Sequence, residues 1–206
     1  MIRLAVLMSC CAALAACGQA PTPAPALDPR EVEAATRLSA ALADRFQAEL
    51  RGRLDAAMAE GGPVGAIKVC AEDAPAIARR LSAESGAIVR RTALRTRNPA
   101  AAPDAFEAAT MDDWVDSPLE APGRPKVQVR ADGEGFRYMR AIPTQGQCLA
   151  CHGAPEAIAP DVKAAIDARY PQDRATGFAE GQMRGAFSIA WTGPAIRAAL
   201  ARPAAG

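Results

Sequence analysis

Cys148, Leu149, Ala150, Cys151 and His152 stand in a row, and His152 is the one histidine of the chain. Two thiols three positions apart project to the same side of a helical turn, and an imidazole four positions beyond the first falls under that turn. Thiols so placed can add across the two vinyl groups of a haem while the imidazole binds the iron; Cys-x-x-Cys-His is the spacing of c-type haem attachment. Pro143-Thr144-Gln145-Gly146 precedes the run and Gly153-Ala154-Pro155 follows it. That punctuation suits a short isolated turn better than the strand-turn-helix around a thioredoxin-like Cys-x-x-Cys. A zinc site of three cysteines and the histidine fits less well, because the neighbours Cys151 and His152 do not easily reach one tetrahedral ion. The expectation is one covalent haem c, with Cys148 and Cys151 as the thioether positions and His152 as the proximal iron ligand.

Export is expected, since haem of this kind is attached outside the cytoplasm, and residues 1–16 read as a leader. A basic Arg3 is followed by an apolar run from Leu4 to Leu14, too short for a lasting bilayer span. Leu14-Ala15-Ala16-Cys17 looks like a bacterial lipobox, in which cleavage precedes Cys17 and the cysteine is lipidated; several acyl chains give lasting attachment. Gly18 after the cysteine suits the outer membrane of a Gram-negative bacterium, with the protein facing the periplasm. Residues 17–29, with the Pro-Ala-Pro tract, then form an extended tether, and residues 30–206 form the folded domain.

Of six cysteines, Cys10 and Cys11 fall in the leader, Cys17 carries lipid, and Cys148 and Cys151 hold haem. Cys70 is left over. A free thiol in an oxidising compartment is a liability unless buried or metal-bound. On the residues alone the distal side of the iron is open among methionine, cysteine, lysine, water or nothing. Met58, Met111, Met139 and Met183 read by default as core filler. The densest basic cluster, Arg90, Arg91, Arg95 and Arg97, supplies candidate contacts to the haem propionates, since guanidinium groups pair well with carboxylates. Strand alternation would turn half of them outward.

Elements that must position these residues follow from pattern. Asp28-Pro29 opens a helix running to about Glu60, with Leu38, Leu42, Phe46, Leu50, Leu54 and Met58 as a slanted apolar stripe; Gly61-Gly62-Pro63 should end it. Ile67-Lys68-Val69 reads as a short strand. Asp73 should cap a helix from Ala74 to Ser85, with Pro75 in its first turn and Gly86 as its stop. Ala87 to Arg91 reads as a strand, and Asp104 should cap a helix through Trp114. Lys126–Arg130 and Gly135–Arg140 flank Asp132-Gly133 as a hairpin. Asp161 to Tyr170 reads as a helix and Gly185 to Trp191 as a last strand. Helices around an antiparallel sheet, without strand-helix-strand alternation, give an α+β class. The long first helix either bends, lies along the sheet or contributes to a homodimer contact.

Beyond the haem motif, several stretches across residues 30–191 match one family in combination. They are Val69-Cys70 with Ala74-Pro75-Ala76-Ile77-Ala78, Arg90-Arg91-Thr92 through Arg97-Asn98-Pro99, and Ala102-Pro103-Asp104. Tyr138 to Pro143, Tyr170-Pro171, Ala175-Thr176-Gly177-Phe178 and Arg184-Gly185-Ala186 complete the set. In these the chain resembles the PAS-like c-type haem domains, found alone and as sensor modules of histidine kinases and chemoreceptors. Ala101, Phe106 and Gln182 depart from that pattern where Asn, Trp and Asp are expected, and none is a candidate iron ligand. The resemblance implies a PAS-like fold and Cys70 as the distal iron ligand, across from His152.

With 24 basic and 23 acidic side chains and no polybasic run, nucleic acid is not an expected partner. Three function classes compete. A redox or haem-based sensor would read the state of the Cys70–iron bond, and would need a separate signalling partner. A periplasmic electron carrier would shuttle one electron with a redox partner. A peroxidase-like enzyme would need an open site and a distal base; with one histidine in the chain, an enzyme is the weakest reading. Expected partners are therefore the haem maturation machinery, a redox or signalling protein, and a membrane through the lipid.

Overall fold

The computed structural model describes residues 25–115, 126–133 and 135–202. The leader, Cys17 and most of the tether lie outside them. Helix α1 spans Pro29–Lys68 and begins in a capping box, Asp28 accepting from the Glu31 backbone N–H at 2.8 Å while the Glu31 carboxylate accepts from Asp28 N–H at 3.0 Å. Two of the unpaired N–H groups at this end of the helix are thereby satisfied.

The expected stop at Gly61-Gly62-Pro63 is a kink instead. Gly62 adopts φ 61°, left-handed backbone that glycine takes without penalty, and the helix resumes at Pro63. Resumption overturns the short strand expected at Ile67-Lys68-Val69. Ile67 and Val69 are helical and buried, and Ile67 packs against Ile158, Val162 and Ile166. Tertiary burial thus decides between two conformations that β-branched residues tolerate. From Lys68 the chain continues into a π-helical turn, Val69–Asp73, and then into α2, Ala74–Ser85. Asp73 is itself helical (φ −72°, ψ −41°) and makes no capping hydrogen bond, so the expected cap is absent because no helix begins there. Gly86, at φ 85°, does end α2.

Four strands follow: β1 Ile88–Thr92, β2 Val127–Asp132, β3 Gly135–Pro143 and β4 Met183–Thr192. They form one antiparallel sheet in the order β1-β4-β3-β2. On one face Phe136, Tyr138, Phe187, Ile189 and Trp191 bury against Leu42 and Phe46 of α1 and Ile77 and Leu81 of α2. The stripe expected on α1 is real over its middle, where Leu42 and Phe46 are buried; Leu54 and Met58 are only half-buried. On the other face Met139, Ala141 and Ala186 pack against Met111 and Trp114 of α3, Ala105–Val115. Asp104 caps α3 as expected, accepting from Glu107 N–H at 2.8 Å. Two short helices lie between β3 and β4: α4, Leu149–His152, and α5, Pro160–Arg169. A last helix, α6 Gly193–Leu200, was not expected from sequence; Thr192 caps it and Ile196 enters the core. The result is the expected α+β, PAS-like architecture: an antiparallel sheet flanked by helices, with a long N-terminal helix. Among the described residues, no helix is long and apolar enough to cross a membrane.

Candidate functional site

The Cys-Leu-Ala-Cys-His run folds as a 3₁₀ turn, Gly146–Cys148, passing into the single turn of α4. Gly153 ends that turn, its N–H bonding Leu149 O at 2.9 Å. A Cβ at Gly153 would lie 2.6 Å from the same carbonyl, so the sharp exit requires glycine. The segment after α5 then clasps the turn: Gly177 N–H donates to Gly153 O at 2.7 Å and Phe178 N–H to His152 O at 2.9 Å.

One hydrogen bond sets the chemistry of His152. Its Nδ1 lies 2.6 Å from the carbonyl oxygen of Ala175, and a carbonyl can only accept, so Nδ1 carries the proton and Nε2 keeps a free lone pair. Burial, with the guanidinium groups of Arg184 and Arg97 nearby, holds the imidazole well below its usual range, so it stays neutral. A neutral imidazole oriented through its other nitrogen to a carbonyl is the form that ligates a metal.

Arg97 pins the same assembly. Its Nη2 donates to Cys151 O at 2.5 Å, to Asp173 Oδ2 at 3.0 Å and to Ala175 O at 3.4 Å, while Asp173 Oδ1 accepts from Ala175 N–H at 2.9 Å. Burial pushes the Cys151 thiol up, against the opposing influence of Arg97.

A cleft of about 320 Å³ opens beside this turn, and both Cys70 and His152 line it. Its size falls among cofactor-sized sites, about 300–1,000 Å³. Cys70 comes from the π-helical turn, and Phe46, Ala74 and Ile142 give the cleft apolar walls. Cys70, Cys148 and Cys151 are all free thiols. Among the described residues no three His, Cys, Asp or Glu side chains converge to hold a metal ion. His152 and Cys70 would offer two donors, short of a protein-only zinc site but the number that a porphyrin iron takes from protein side chains. The donor chemistry therefore fits the group that the sequence implies: two thiols on one turn, a neutral imidazole with a free Nε2, and a further thiol on the cleft wall.

The four arginines of the expected cluster separate. Arg90, Arg91 and Arg97 line the cleft. Arg90 is engaged by Ala102 O at 2.6 Å and by Glu107 at 3.7 Å, and Arg97 by Asp173. Arg95 lies over the Phe178 ring, 3.7 Å from its centroid. Two residues not singled out as site residues from sequence join them. One is Asp173; the other is Arg184, whose Nε lies 3.3 Å from Nδ1 and 3.5 Å from Nε2 of His152. Distances so nearly equal describe a guanidinium resting against the ring rather than one directed bond. A signal for Arg184 existed, since a glycine inside a strand, here Gly185, marks a bulge or a close backbone approach. A Cβ at Gly185 would collide with the carbonyl of Thr92.

No curated protein matches the chain. Among solved structures, the crystal structure of the cyanobacterial heme-protein Tll0287 is similar at 34% identity and a TM-score of 0.51, over 60% of this chain and 71% of that one. The model of the Tll0287-like family matches residues 27–191, a span holding Cys70, the Cys-x-x-Cys-His turn, Asp173 and Arg184, and the chain therefore belongs to the Tll0287-like family.

Proposed function

We propose that the chain is a haem-binding, cytochrome-like redox protein rather than an enzyme. In this reading one haem c is held through Cys148 and Cys151, with His152 and Cys70 as axial ligands. The observation that carries it is the shared cleft: a thiol and a neutral, carbonyl-oriented imidazole line one cavity beside two thiols on a single turn. The heme-protein relative supports it. Bound there, haem supplies one-electron chemistry, and a thiolate ligand favours the ferric state.

Within this reading the function is redox or haem-based sensing. Cys70 sits on the π-helical turn that joins the resumed end of α1 to α2, and π turns are frequent at functional positions. Whether Cys70 is held or released acts directly on the helix that carries it, so ligation at one atom is coupled to the position of a main structural element. The same reading takes the protein to be periplasmic, lipid-anchored at Cys17 to the outer membrane, with a redox or signalling protein as partner; the leader and the Leu14-Ala15-Ala16-Cys17 run support it.

Ultraviolet–visible spectra of the exported protein, ferric and then dithionite-reduced, with and without CO, test the reading. Covalent haem with a low-spin thiolate spectrum when oxidised, converted by Cys70→Ala to a high-spin or different ligand set, is the expected result. An unchanged Cys70→Ala spectrum ends the Cys70 assignment. Ferric and ferrous proteins with identical hydrogen exchange would leave electron transfer as the function.

A further inference from the structure

The sheet breaks register once between β3 and β4. Ile142 stands opposite Gly185 and Pro143 opposite Met183, which leaves Arg184 as the extra residue of a β-bulge. Bulges re-aim side chains beside functional sites, and this one sends Arg184 into the cleft, to the wall shared with His152, Arg91 and Arg97. There its Nη1 donates to the Arg95 carbonyl at 3.2 Å while Nε rests against the His152 ring.

The wall carries more positive charge than its own acids neutralise. Asp173 is engaged by Arg97 at 3.0 Å. Among the described residues neither Arg184 nor Arg91 has a carboxylate partner, whereas Arg90 and Arg97 have Glu107 and Asp173. Arg184 and Arg91 are half-buried, and a guanidinium partly withdrawn from water costs free energy until an anion meets it. Three guanidinium groups thus face a single carboxylate beside an apolar cleft, an excess that two further carboxylates would neutralise.

We propose that Arg184 and Arg91 form an anion clasp for a dicarboxylate on an apolar body, here the two haem propionates, and that Arg184 raises the iron's reduction potential. The inference rests on the haem reading and reassigns the propionate contacts. Arg97 is a clamp of the ligand turn, Arg95 is stacked on Phe178, and the arginine that the strand pattern did not single out does the work. Arg184 acts through charge and position, since a cation near the iron favours the ferrous state.

The test uses the exported holoprotein: wild type, Arg184→Gln, Arg184→Lys and Arg91→Gln. Spectroelectrochemical titration gives each potential, low-frequency resonance Raman gives the propionate-bending band, and intact mass gives covalent haem. The expected result is a more negative potential and a displaced propionate band in both glutamine variants. Arg184→Lys should keep most of the potential, because charge is retained, while displacing the band, because the planar fork is lost. Potentials and bands that stay at wild-type values in Arg184→Gln and Arg91→Gln overturn the clasp and leave the haem reading standing. Should Arg184→Gln fail to retain haem, Arg184→Lys and Arg91→Gln decide by the same two readouts. A wild-type protein whose mass shows no haem overturns both readings.

Discussion

Asp173→Asn should be among the most damaging single changes outside the candidate iron ligands. The carboxylate and Arg97 are 8% and 9% exposed, and Asp173 also accepts from the Ala175 N–H. Asparagine is nearly isosteric and keeps one acceptor, so the perturbation is loss of charge. The Arg97 guanidinium would remain buried, its Nε already without a partner, with only carbonyls to face. Removing one partner of a buried ion pair costs about 3–5 kcal/mol, and in a protein of this size that lowers Tm by about 6–20 °C. Because Arg97 also holds the Cys151 carbonyl and Asp173 the Ala175 peptide, damage should reach His152, whose Nδ1–H bonds the Ala175 oxygen. Circular-dichroism melting of wild type, Asp173→Asn, Arg97→Gln and the double variant forms a thermodynamic cycle. The double variant should be less destabilised than the two singles added together, by about 1–3 kcal/mol. A cost below about 1 kcal/mol for Asp173→Asn, or additivity within about 0.5 kcal/mol, would refute the reasoning.

Gly153→Ala places a Cβ 2.6 Å from the Leu149 carbonyl, and relieving that contact should cost about 1–3 kcal/mol and impair covalent haem loading, read by melting and by intact mass; normal loading and an unchanged Tm would contradict the turn geometry. At Asp104, burial pushes the carboxyl up, but the hydrogen bonds from Glu107 N–H and the Arg137 guanidinium outweigh it and hold it below its ordinary value. A carboxylate held low contributes stability that is present above about pH 4 and lost as pH falls through the lowered folded value. Asp104→Asn should accordingly flatten the loss of Tm between about pH 4 and pH 2, and parallel acid curves for the two proteins would reject the assignment.

How much was legible depended on how local each signal was. The Asp104 cap, the Gly86 stop and the Asp132-Gly133 hairpin are short-range chemistry, and each sits where its residues demand. The short turn that carries Cys148, Cys151 and His152 is legible for the same reason, its Pro and Gly punctuation being contiguous with it. Cys70 stands out as a residue, but the pattern puts a strand before it where the structure has a helix. Ile67 and Val69 suit either conformation, and what decides is a contact with Ile158, Val162 and Ile166, ninety and more positions along the chain. Arg184 belongs to the same class of miss. Its neighbour Gly185 hints at a bulge, yet only the pairing of β3 with β4 shows that the bulge aims the guanidinium at His152.

That distant contact also bears on how a sensor built this way could work. Ile67 stands less than one turn before Cys70, while Ile158, Val162 and Ile166 follow His152, and Cys151 itself packs against the same cluster. The helix bearing Cys70 and the turn bearing His152 are therefore tied together by apolar packing, whatever lies between their side chains in the cleft. Each buried aliphatic side chain in such a cluster contributes about 1.5–3 kcal/mol, so the two walls do not part freely when a single bond is released. The weaker points are the Gly62 kink before Cys70 and the π-helical turn that holds it, where backbone geometry departs from the α-helix. Redox-dependent motion should then concentrate at residues 62–73, and hydrogen exchange that differs between ferric and ferrous protein in that segment, with α5 unchanged, is the pattern this architecture requires. Change spread evenly over α5 and the sheet would mean that the apolar tie does not hold the two walls.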